Sequence, residues 1–395
     1  MVRKSGNKII VGLSGGVDSA VTALLLRDQG YDVEGLFMAN WDDPDPDAHC
    51  TTAVDYQDAR AVCEELGIVL HKVDFAAQYR EQVFARFLAE LRAGRTPNPD
   101  VLCNREIKFG VCLAYAQRLG ARRLATGHYA RLIEGAAGVE LHKAVDTGKD
   151  QSYFLHAVAR EQLSAAMFPL GELDKQQVRA LARAAGLPVY DKPDSTGICF
   201  IGERPFAEFL AQWLPKSPGP MTTPAGELVG EHQGLCYYTL GQRDGLTIGG
   251  RAGHAQAPWY VARKDIAGNR LIVVQSPDHP LLLSRSCDVI DWHWLANPTT
   301  LCAGLGVKLR YRQSDQAVSH IAWQGSSGRL SFATPQRAVT PGQFAVLYRG
   351  TQCLGGGVID RTATSSDLRD DDAIMPNDNS QSPAVESIDE CSNSR

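Results

Sequence analysis

The 395-residue chain has no run of the roughly 18 apolar residues that a membrane-spanning helix needs. No such span is therefore expected. Its opening, Met1-Val2-Arg3-Lys4, passes into Ser5-Gly6-Asn7 without an apolar stretch, so no signal peptide is expected either. There are ten cysteines, yet no C-x-x-C and none of the short pairs of a zinc site. In a chain of this size that points to reduced thiols and a cytoplasmic location. No internal repeat is found. An excess of positive charge is also missing, the formal net charge being −5.

That missing charge is local. Residues 361–395 hold eight acidic side chains (Asp367, Asp370, Asp371, Asp372, Asp378, Glu386, Asp389 and Glu390) and three arginines, a net of −5. Residues 1–360 therefore balance at 37 basic and 37 acidic groups, and a neutral body can still present a basic face to nucleic acid. The segment 361–395 is rich in Asp, Asn and Ser and poor in aromatics, so it is expected to be a disordered acidic tail.

Two familiar phosphate loops are absent as well. No lysine follows the glycines near the N-terminus, which excludes G-x-x-x-x-G-K-[ST], and G-x-G-x-x-G does not occur there. What stands in their place is Lys8-Ile9-Ile10-Val11-Gly12-Leu13-Ser14-Gly15-Gly16-Val17-Asp18-Ser19. The apolar run predicts a buried strand. Val17, Val21, Leu24 and Leu25 then recur at helical spacing up to Arg27, with Gly30 just beyond. Strand, glycine turn and helix form an anion site: glycines let backbone N–H groups approach, and the helix N-terminus adds its dipole. Asp18 and Ser19 are also ordinary first-turn residues, so a plain turn is the bland alternative. Ser14-Gly15-Gly16-x-Asp18-Ser19 resembles the pyrophosphate loop of enzymes that cleave ATP between the α and β phosphates. On that resemblance Gly12, Leu13, Ser14, Gly15, Gly16, Val17, Asp18 and Ser19 bind nucleotide. Mg²⁺ would sit near Asp18, without a metal site made by protein alone.

Further along, Val33–Met38, Ile68–Val73 and Arg123–Thr126 read as strands between helices at 53–66, 78–93 and 105–119. The alternation predicts an α/β fold with a doubly wound parallel sheet. Ligands in such sheets lie beyond the carboxyl ends of the strands, so Met38, Gly127 and His128 are expected near Ser14. Met38 is either core or an adenine platform, and His128 either a satisfied loop histidine or a site residue. A helix is expected at 173–185 and a short one at 206–213. After the Pro- and Gly-rich stretch 215–226 the pattern changes to short alternating strands, including Val307–Tyr311. The expected domains are 1–214, a small central β-rich bridging module at 215–280, a C-terminal β-barrel at 281–360 and the tail.

Cys103 and Cys199 differ in context from the other eight cysteines. Cys103 lies in Thr96-Pro97-Asn98-Pro99-Asp100-Val101-Leu102-Cys103-Asn104-Arg105-Glu106-Ile107-Lys108, read as a loop just before a helix. Beside Arg105 and Lys108 its thiol is expected to be acidified. Cys199 lies in Asp194-Ser195-Thr196-Gly197-Ile198-Cys199-Phe200-Ile201-Gly202-Glu203-Arg204, also read as a loop. The bland reading of each is an inert buried thiol.

These two loops, with Ala125-Thr126-Gly127-His128-Tyr129, Lys149-Asp150-Gln151-Ser152-Tyr153, Leu240-Gly241-Gln242-Arg243 and Gly249-Gly250, resemble the bacterial tRNA-specific 2-thiouridylase (MnmA) family from about residue 8 to 360. The resemblance implies ATP- and Mg²⁺-dependent 2-thiolation of the wobble uridine (U34) in the tRNA anticodon stem-loop. The uracil C2 oxygen is adenylated, and sulfur follows from a cysteine persulfide, with release of AMP and pyrophosphate. It implies Cys199 as the persulfide carrier and Cys103 as the nucleophile, the pair ending as a disulfide, with Asp100 as candidate acid/base. It places Asn98, Pro99, Asp100, His128, Lys149, Asp150, Gln151, Arg310, Tyr311 and Gln343 at tRNA contacts, the target base being flipped out. Arg310 and Tyr311 are otherwise ordinary barrel-strand residues. The implied partners are tRNA and a persulfide donor, either a cysteine desulfurase or a sulfur-relay carrier protein. Two other readings stay open: an amide-forming adenylating ligase, which needs no thiol pair, and an ATP-binding sensor or scaffold without chemistry.

Overall fold

A computed structural model describes residues 7–41, 51–194, 206–249, 253, 255–298, 304–364 and 386–388. The chain divides into two units. The first comprises residues 1–86, 99–204 and 351–355. Its centre is β1 (Lys8–Leu13), whose Ile9, Ile10, Val11 and Leu13 are all buried, as a strand covered on both faces requires. Beside it run β2 (Asp32–Ala39) and β4 (Arg123–Ala125), both parallel to it, with Leu13 opposite Phe37 and Val11 opposite Ala125. β3 (Leu70–Asp74) and β7 (Ala166–Met167) complete a five-stranded parallel sheet in the order β3-β2-β1-β4-β7. This is the expected doubly wound order, reversing direction at β1.

Three helices pack into one core with that sheet: α1 (Val17–Asp28), α2 (Thr51–Leu66) and α3 (Lys175–Ala184). Val21 and Leu24 of α1, Val62 of α2, and Val178 and Ala182 of α3 belong to the same buried cluster as Val11 and Leu13. Packing here is tight at Gly35 in β2. A Cβ at that position would lie 2.6 Å from Leu13 Cδ1 and 3.0 Å from Cys63 Sγ.

Two features of this unit differ from expectation. An antiparallel hairpin, β5 (Ala130–Gly135) with β6 (Gly138–Lys143), follows β4 directly. Its short strands carry exposed and half-buried residues, so no apolar run announces them. The helix expected from residue 105 begins at Pro99 and continues without a break through a π-helical segment, Cys103–Cys112, to Leu113–Arg118. Proline is well suited to the first helical position and Asp100 to the first turn, so Pro99-Asp100 starts the helix and does not merely end a loop. Cys103 is therefore a helix residue.

The second unit comprises residues 87–98, 205–350 and 356–395. It contains a four-stranded sheet of β8 (Gly219–Thr222), β9 (Leu228–His232), β10 (Tyr260–Asp265) and β11 (Arg270–Val274) in the order β10-β11-β8-β9. Met221, Val229, Val261, Leu271 and Val273 fill its core. It also contains β12 (Leu283–Trp294), β13 (Gly306–Lys308), β14 (Gln316–Gln324), β15 (Ser327–Arg337), β16 (Phe344–Arg349) and β17 (Gln352–Thr364). These follow the order β12-β15-β14-β13-β16-β17, and β12 pairs with β17, which closes a six-stranded barrel.

Two expectations in this unit are corrected. β13 ends at Lys308, so Arg310 and Tyr311 lie in the bend and turn after it and not in a strand. The tail is not without structure throughout: residues 361–364 continue β17, and β18 (Glu386–Ile388) pairs with β14.

Gly35→Ala is expected to lower the urea midpoint with an unchanged slope. Overpacking costs about 1–3 kcal/mol, more than the roughly 0.5–1 kcal/mol alanine gains over glycine in a strand. An unchanged or higher midpoint would show that Leu13 and Cys63 give way freely.

Candidate functional site

The site is built where β1 passes into α1. Gly16 precedes the helix in an extended conformation (φ −98°, ψ 162°), and no side chain caps the first turn. The N–H groups of that turn are left to face whatever occupies the loop. Ser19 Oγ donates to the Gly16 carbonyl (3.0 Å) and accepts from the Ser14 N–H (3.2 Å), and it lies 3.3 Å from Ser14 Oγ. The loop is thus held open by its own serines, with Ser14 exposed. Gly15 has φ +76°, and a Cβ there would fall 2.4 Å from the Asp55 carbonyl oxygen. A Cβ on Gly127 would fall 2.8 Å from the Ser19 nitrogen. Both positions have to be glycine, and Gly127 stands beside the loop as its place after β4 suggests. Together these groups form a cradle for phosphate oxygens, made of backbone donors and two hydroxyls.

Charged side chains surround the cradle. Asp18 Oδ1 accepts from the Tyr129 hydroxyl (2.8 Å) and from Lys175 Nζ (2.6 Å). Lys175 Nζ also reaches Asp194 Oδ1 at 2.7 Å, so one ammonium bridges two carboxylates. Asp194 further pairs with Lys149 (2.5 Å) and Arg179 (3.0 Å). Partial burial pushes the Asp194 carboxyl up, but hydrogen bonds and charge from Lys149 and Lys175 outweigh it and hold the group at about 2. Burial, and then the Asp18 carboxylate, push the Tyr129 hydroxyl above its ordinary value, which keeps it a donor. On the opposite side Lys192 Nζ donates to the Gly15 carbonyl (3.1 Å), Asp55 (2.7 Å) and Asp58 (2.5 Å). Burial lowers the Lys192 pKa, and Asp55 and Asp58 more than restore it, so it stays charged.

Tyr129, Lys175, Arg179 and Lys192 are absent from the sequence-derived residue set. One signal was available. Lys175 and Arg179 are four apart in a helix whose Val178 and Ala182 face the core, so they form one charged stripe. Asp174 caps that helix through the Gln177 N–H at 2.8 Å and fixes where the stripe begins.

The expected residues fall into separate places. Met38 is half-buried near the end of β2, opposite Val73. His128 is buried between the rings of Phe109 (5.9 Å) and Phe168 (5.7 Å). Its Nε2 lies 3.5 Å from Lys108 Nζ, which can only donate, so Nδ1–H donates to Thr126 Oγ1 at 2.7 Å. Burial, followed by Lys108, pushes its pKa well below the ordinary histidine value, so the ring is neutral. Lys149 is engaged by Asp194. Asp150 is buried and accepts from the Ala144 N–H, the Ser152 N–H and the Ser152 hydroxyl. Gln151 accepts from the Tyr129 N–H through Oε1 (3.1 Å) and donates its own N–H to the Tyr129 carbonyl (2.8 Å).

Pro99 is buried and Asp100 half-buried in the first helical turn, and Cys103, three residues on, is only 1% exposed. The adjacent Asn104 amide donates to the Asp100 carbonyl at 2.9 Å. Cys112, farther along the same segment, is buried, and burial pushes its thiol up to about 12. Among the described residues no cysteine is in a disulfide. Cys199 lies outside the described residues. In the second unit, Asn98 is half-buried, Arg310 is exposed and donates to the Arg337 (2.9 Å) and Ala338 (2.6 Å) carbonyls, and Gln343 Nε2 donates to the Thr96 carbonyl (2.7 Å). The half-buried Tyr311 ring carries the Arg312 guanidinium at 5.2 Å.

Asp194 has a depressed pKa, so its stabilising contribution is complete above the unfolded carboxylate value and fades as pH falls towards about 2. In acid unfolding followed by circular dichroism, Asp194→Asn is expected to be less stable than the parent at pH 6, with the gap closing by about pH 2. A gap that persists unchanged at pH 2 would show that the charge bridge is not its source.

Three family profiles match consecutive parts of the chain. They are described as the tRNA methyl transferase HUP domain (residues 7–203), the tRNA methyl transferase PRC-barrel domain (207–275) and the aminomethyltransferase beta-barrel domain (284–359). The tRNA-specific 2-thiouridylase MnmA of Cupriavidus metallidurans is 56% identical over 357 residues, 90% of this chain and 99% of the relative. That of Chromohalobacter salexigens is 55% identical over 367 residues, 93% of this chain and 96% of the relative. Among solved structures, the U34-tRNA thiolase NcsA of Methanococcus maripaludis is similar at 19% identity over 50% of this chain and 63% of that one, with a TM-score of 0.34. With over half its residues shared with full-length relatives across nearly their whole length, the chain belongs to the tRNA-specific 2-thiouridylase family, a family of sulfurtransferase enzymes.

Proposed function

We propose that this chain catalyses ATP-dependent 2-thiolation of the wobble uridine, U34, of tRNA. The observation that carries the ATP half is the uncapped N-terminus of α1 behind Ser14-Gly15-Gly16, with Gly127 allowing close approach. A loop of this build holds a pyrophosphate leaving group through backbone N–H groups and the Ser14 and Ser19 hydroxyls. Gly12, Leu13 and Val17 shape it, and Met38 supports the base. Asp18 is the carboxylate to hold Mg²⁺, which would supply neutralising charge there. Lys175, already at Asp18, then adds a cation beside the reacting phosphate.

The uracil C2 oxygen attacks the α-phosphate and pyrophosphate leaves, which turns a poor leaving group into AMP. A persulfide on Cys199 attacks C2 through its outer sulfur, and AMP departs. The Cys103 thiolate then attacks the Cys199 sulfur. The S–S bond of the persulfide adduct breaks, its electron pair stays on the sulfur at C2, and a Cys103–Cys199 disulfide remains for an external thiol to reduce. Asp100 serves as acid/base at the uracil: it shares a helix face with Cys103, three residues away.

The enclosure of Cys103 means that its turn must open for this step. It sits at the first residue of a π-helical segment, where the hydrogen-bond ladder changes register. Asn98, Pro99, His128, Lys149, Asp150, Gln151, Arg310, Tyr311 and Gln343 are assigned to the tRNA surface. Within that set, Gln151 serves chiefly to hold Tyr129 and Asp150 to hold the loop at Ala144 and Ser152, whereas Arg310, exposed while its guanidinium binds the Arg337 and Ala338 carbonyls, is the residue assigned to phosphate. The sulfur source is a persulfide donor, a cysteine desulfurase or a relay carrier, in the cytoplasm.

The test is mass spectrometry of anticodon nucleosides after incubation with tRNA, Mg-ATP and a persulfide donor. 2-Thiouridine is expected with the parent chain, and a loss of at least about 10³-fold with Cys103→Ser or Cys199→Ser, as for removal of a covalent catalytic group. Full 2-thiouridine yield with both serines in place would eliminate the two-thiol sulfur route, and no 2-thiouridine with the parent chain would leave an adenylating enzyme of another kind.

A further inference from the structure

The barrel strand β14 (Gln316–Gln324) has one neighbour along most of its length and another along only its first residues. β15 pairs with it from Val318 to Gln324. On its other side β13 is only three residues long and pairs with Gln316 and Ala317, and the Leu305 carbonyl just before it takes the Val318 N–H. Among the described residues, β13 does not extend alongside Ile321–Trp323. An exposed edge of this kind recruits another strand, from a second copy or from an unfolded segment, and is a liability a barrel ordinarily removes by closure. In this chain the gap is filled by β18 in antiparallel register, Ile388 opposite Ile321, Ser387 opposite Ala322 and Glu386 opposite Trp323. The segment that supplies it lies beyond the last matched family domain, which ends at residue 359.

We propose that the C-terminal acidic segment is an intramolecular edge guard: residues 386–388 augment β14 in cis and keep its Ile321–Trp323 edge from pairing with another chain. Main-chain hydrogen bonds supply the attachment, as in strand addition generally. Charge completes the device. The segment 361–395 carries a net charge of −5, against a neutral remainder, so two copies docking edge to edge would bring two such segments together. Twenty-one residues, 365–385, separate the end of β17 from β18, enough for about 70 Å at full extension and therefore for a return to β14 within one chain.

Hydrogen–deuterium exchange over Ile321–Trp323 tests this in three proteins: the full chain, a chain ending at Thr364, and the full chain with Ser387→Pro and Ile388→Pro together. Prolines at both positions remove a backbone donor whichever of the two faces β14, and they leave the tail's charge intact. Exchange is expected to be at least tenfold faster in both altered proteins, with the truncated chain shifting towards a dimer in size-exclusion chromatography with light scattering. Equal protection in all three proteins would overturn the proposal. Protection lost on truncation but kept in the proline variant would overturn strand pairing as its basis. Protection of the full chain that disappears on dilution would overturn the assignment in cis, because the guarding strand would then come from a second copy.

Discussion

One ammonium group between two carboxylates organises the first unit. Lys175 bridges Asp18, in the first turn of α1, to Asp194, and the sequence distance it spans is large: α1 follows the first strand, whereas Lys175 opens the last helix packed on the same core. Its position is set twice. The Asp174 cap fixes where α3 starts, and Val178 with Ala182 fixes which face turns inward. Without that amine, Asp18 and Asp194 would add to the negative charge at a loop built to receive phosphate. With it, the two acids become anchors. Lys192 does the same work on the other flank, holding Asp55, Asp58 and the Gly15 carbonyl at once.

Much of the strand, turn and helix around Ser14 was legible because its signals are local. A continuous apolar run, a glycine turn and a helical stripe occupy residues 8–28, and each constrains the backbone independently of the rest of the chain. Gly127 was legible from topology alone, since a parallel sheet brings the end of β4 beside the end of β1. The charged frame was not legible. Tyr129, Lys175 and Lys192 matter through partners more than a hundred residues away, and apart from the spacing of Lys175 and Arg179 nothing in their own neighbourhoods distinguishes them from solvated side chains. Cys103 shows a different failure. Two prolines around Asn98 signal a break, but Pro99 is at the one helical position where proline is favoured, so the same residues that end one segment begin the next.

The β half was legible as a class and not in its closure. Alternating short strands after residue 226 indicate sheets, whereas the pairing of β12 with β17, which makes a barrel of them, rests on residues some seventy positions apart. Arg310 and Tyr311 were misread for a related reason. The alternation of Val307 to Tyr311 fits a strand, but β13 stops at Lys308, and Arg310 turns to bind the Arg337 and Ala338 carbonyls.

The Lys149-Asp150-Gln151 run bears on how mutational scans of this family are interpreted. Asp150 is sealed away from solvent and serves three donors, and Gln151 grips the Tyr129 backbone at two points, so Tyr129 reaches Asp18 because of them. Alanine at Gln151 would remove the side-chain half of that grip and loosen Tyr129, whatever part the run takes in the proposed RNA recognition. A phenotype there confounds recognition with architecture, and Lys149 shares the difficulty, because its ammonium holds Asp194, which Lys175 ties to Asp18.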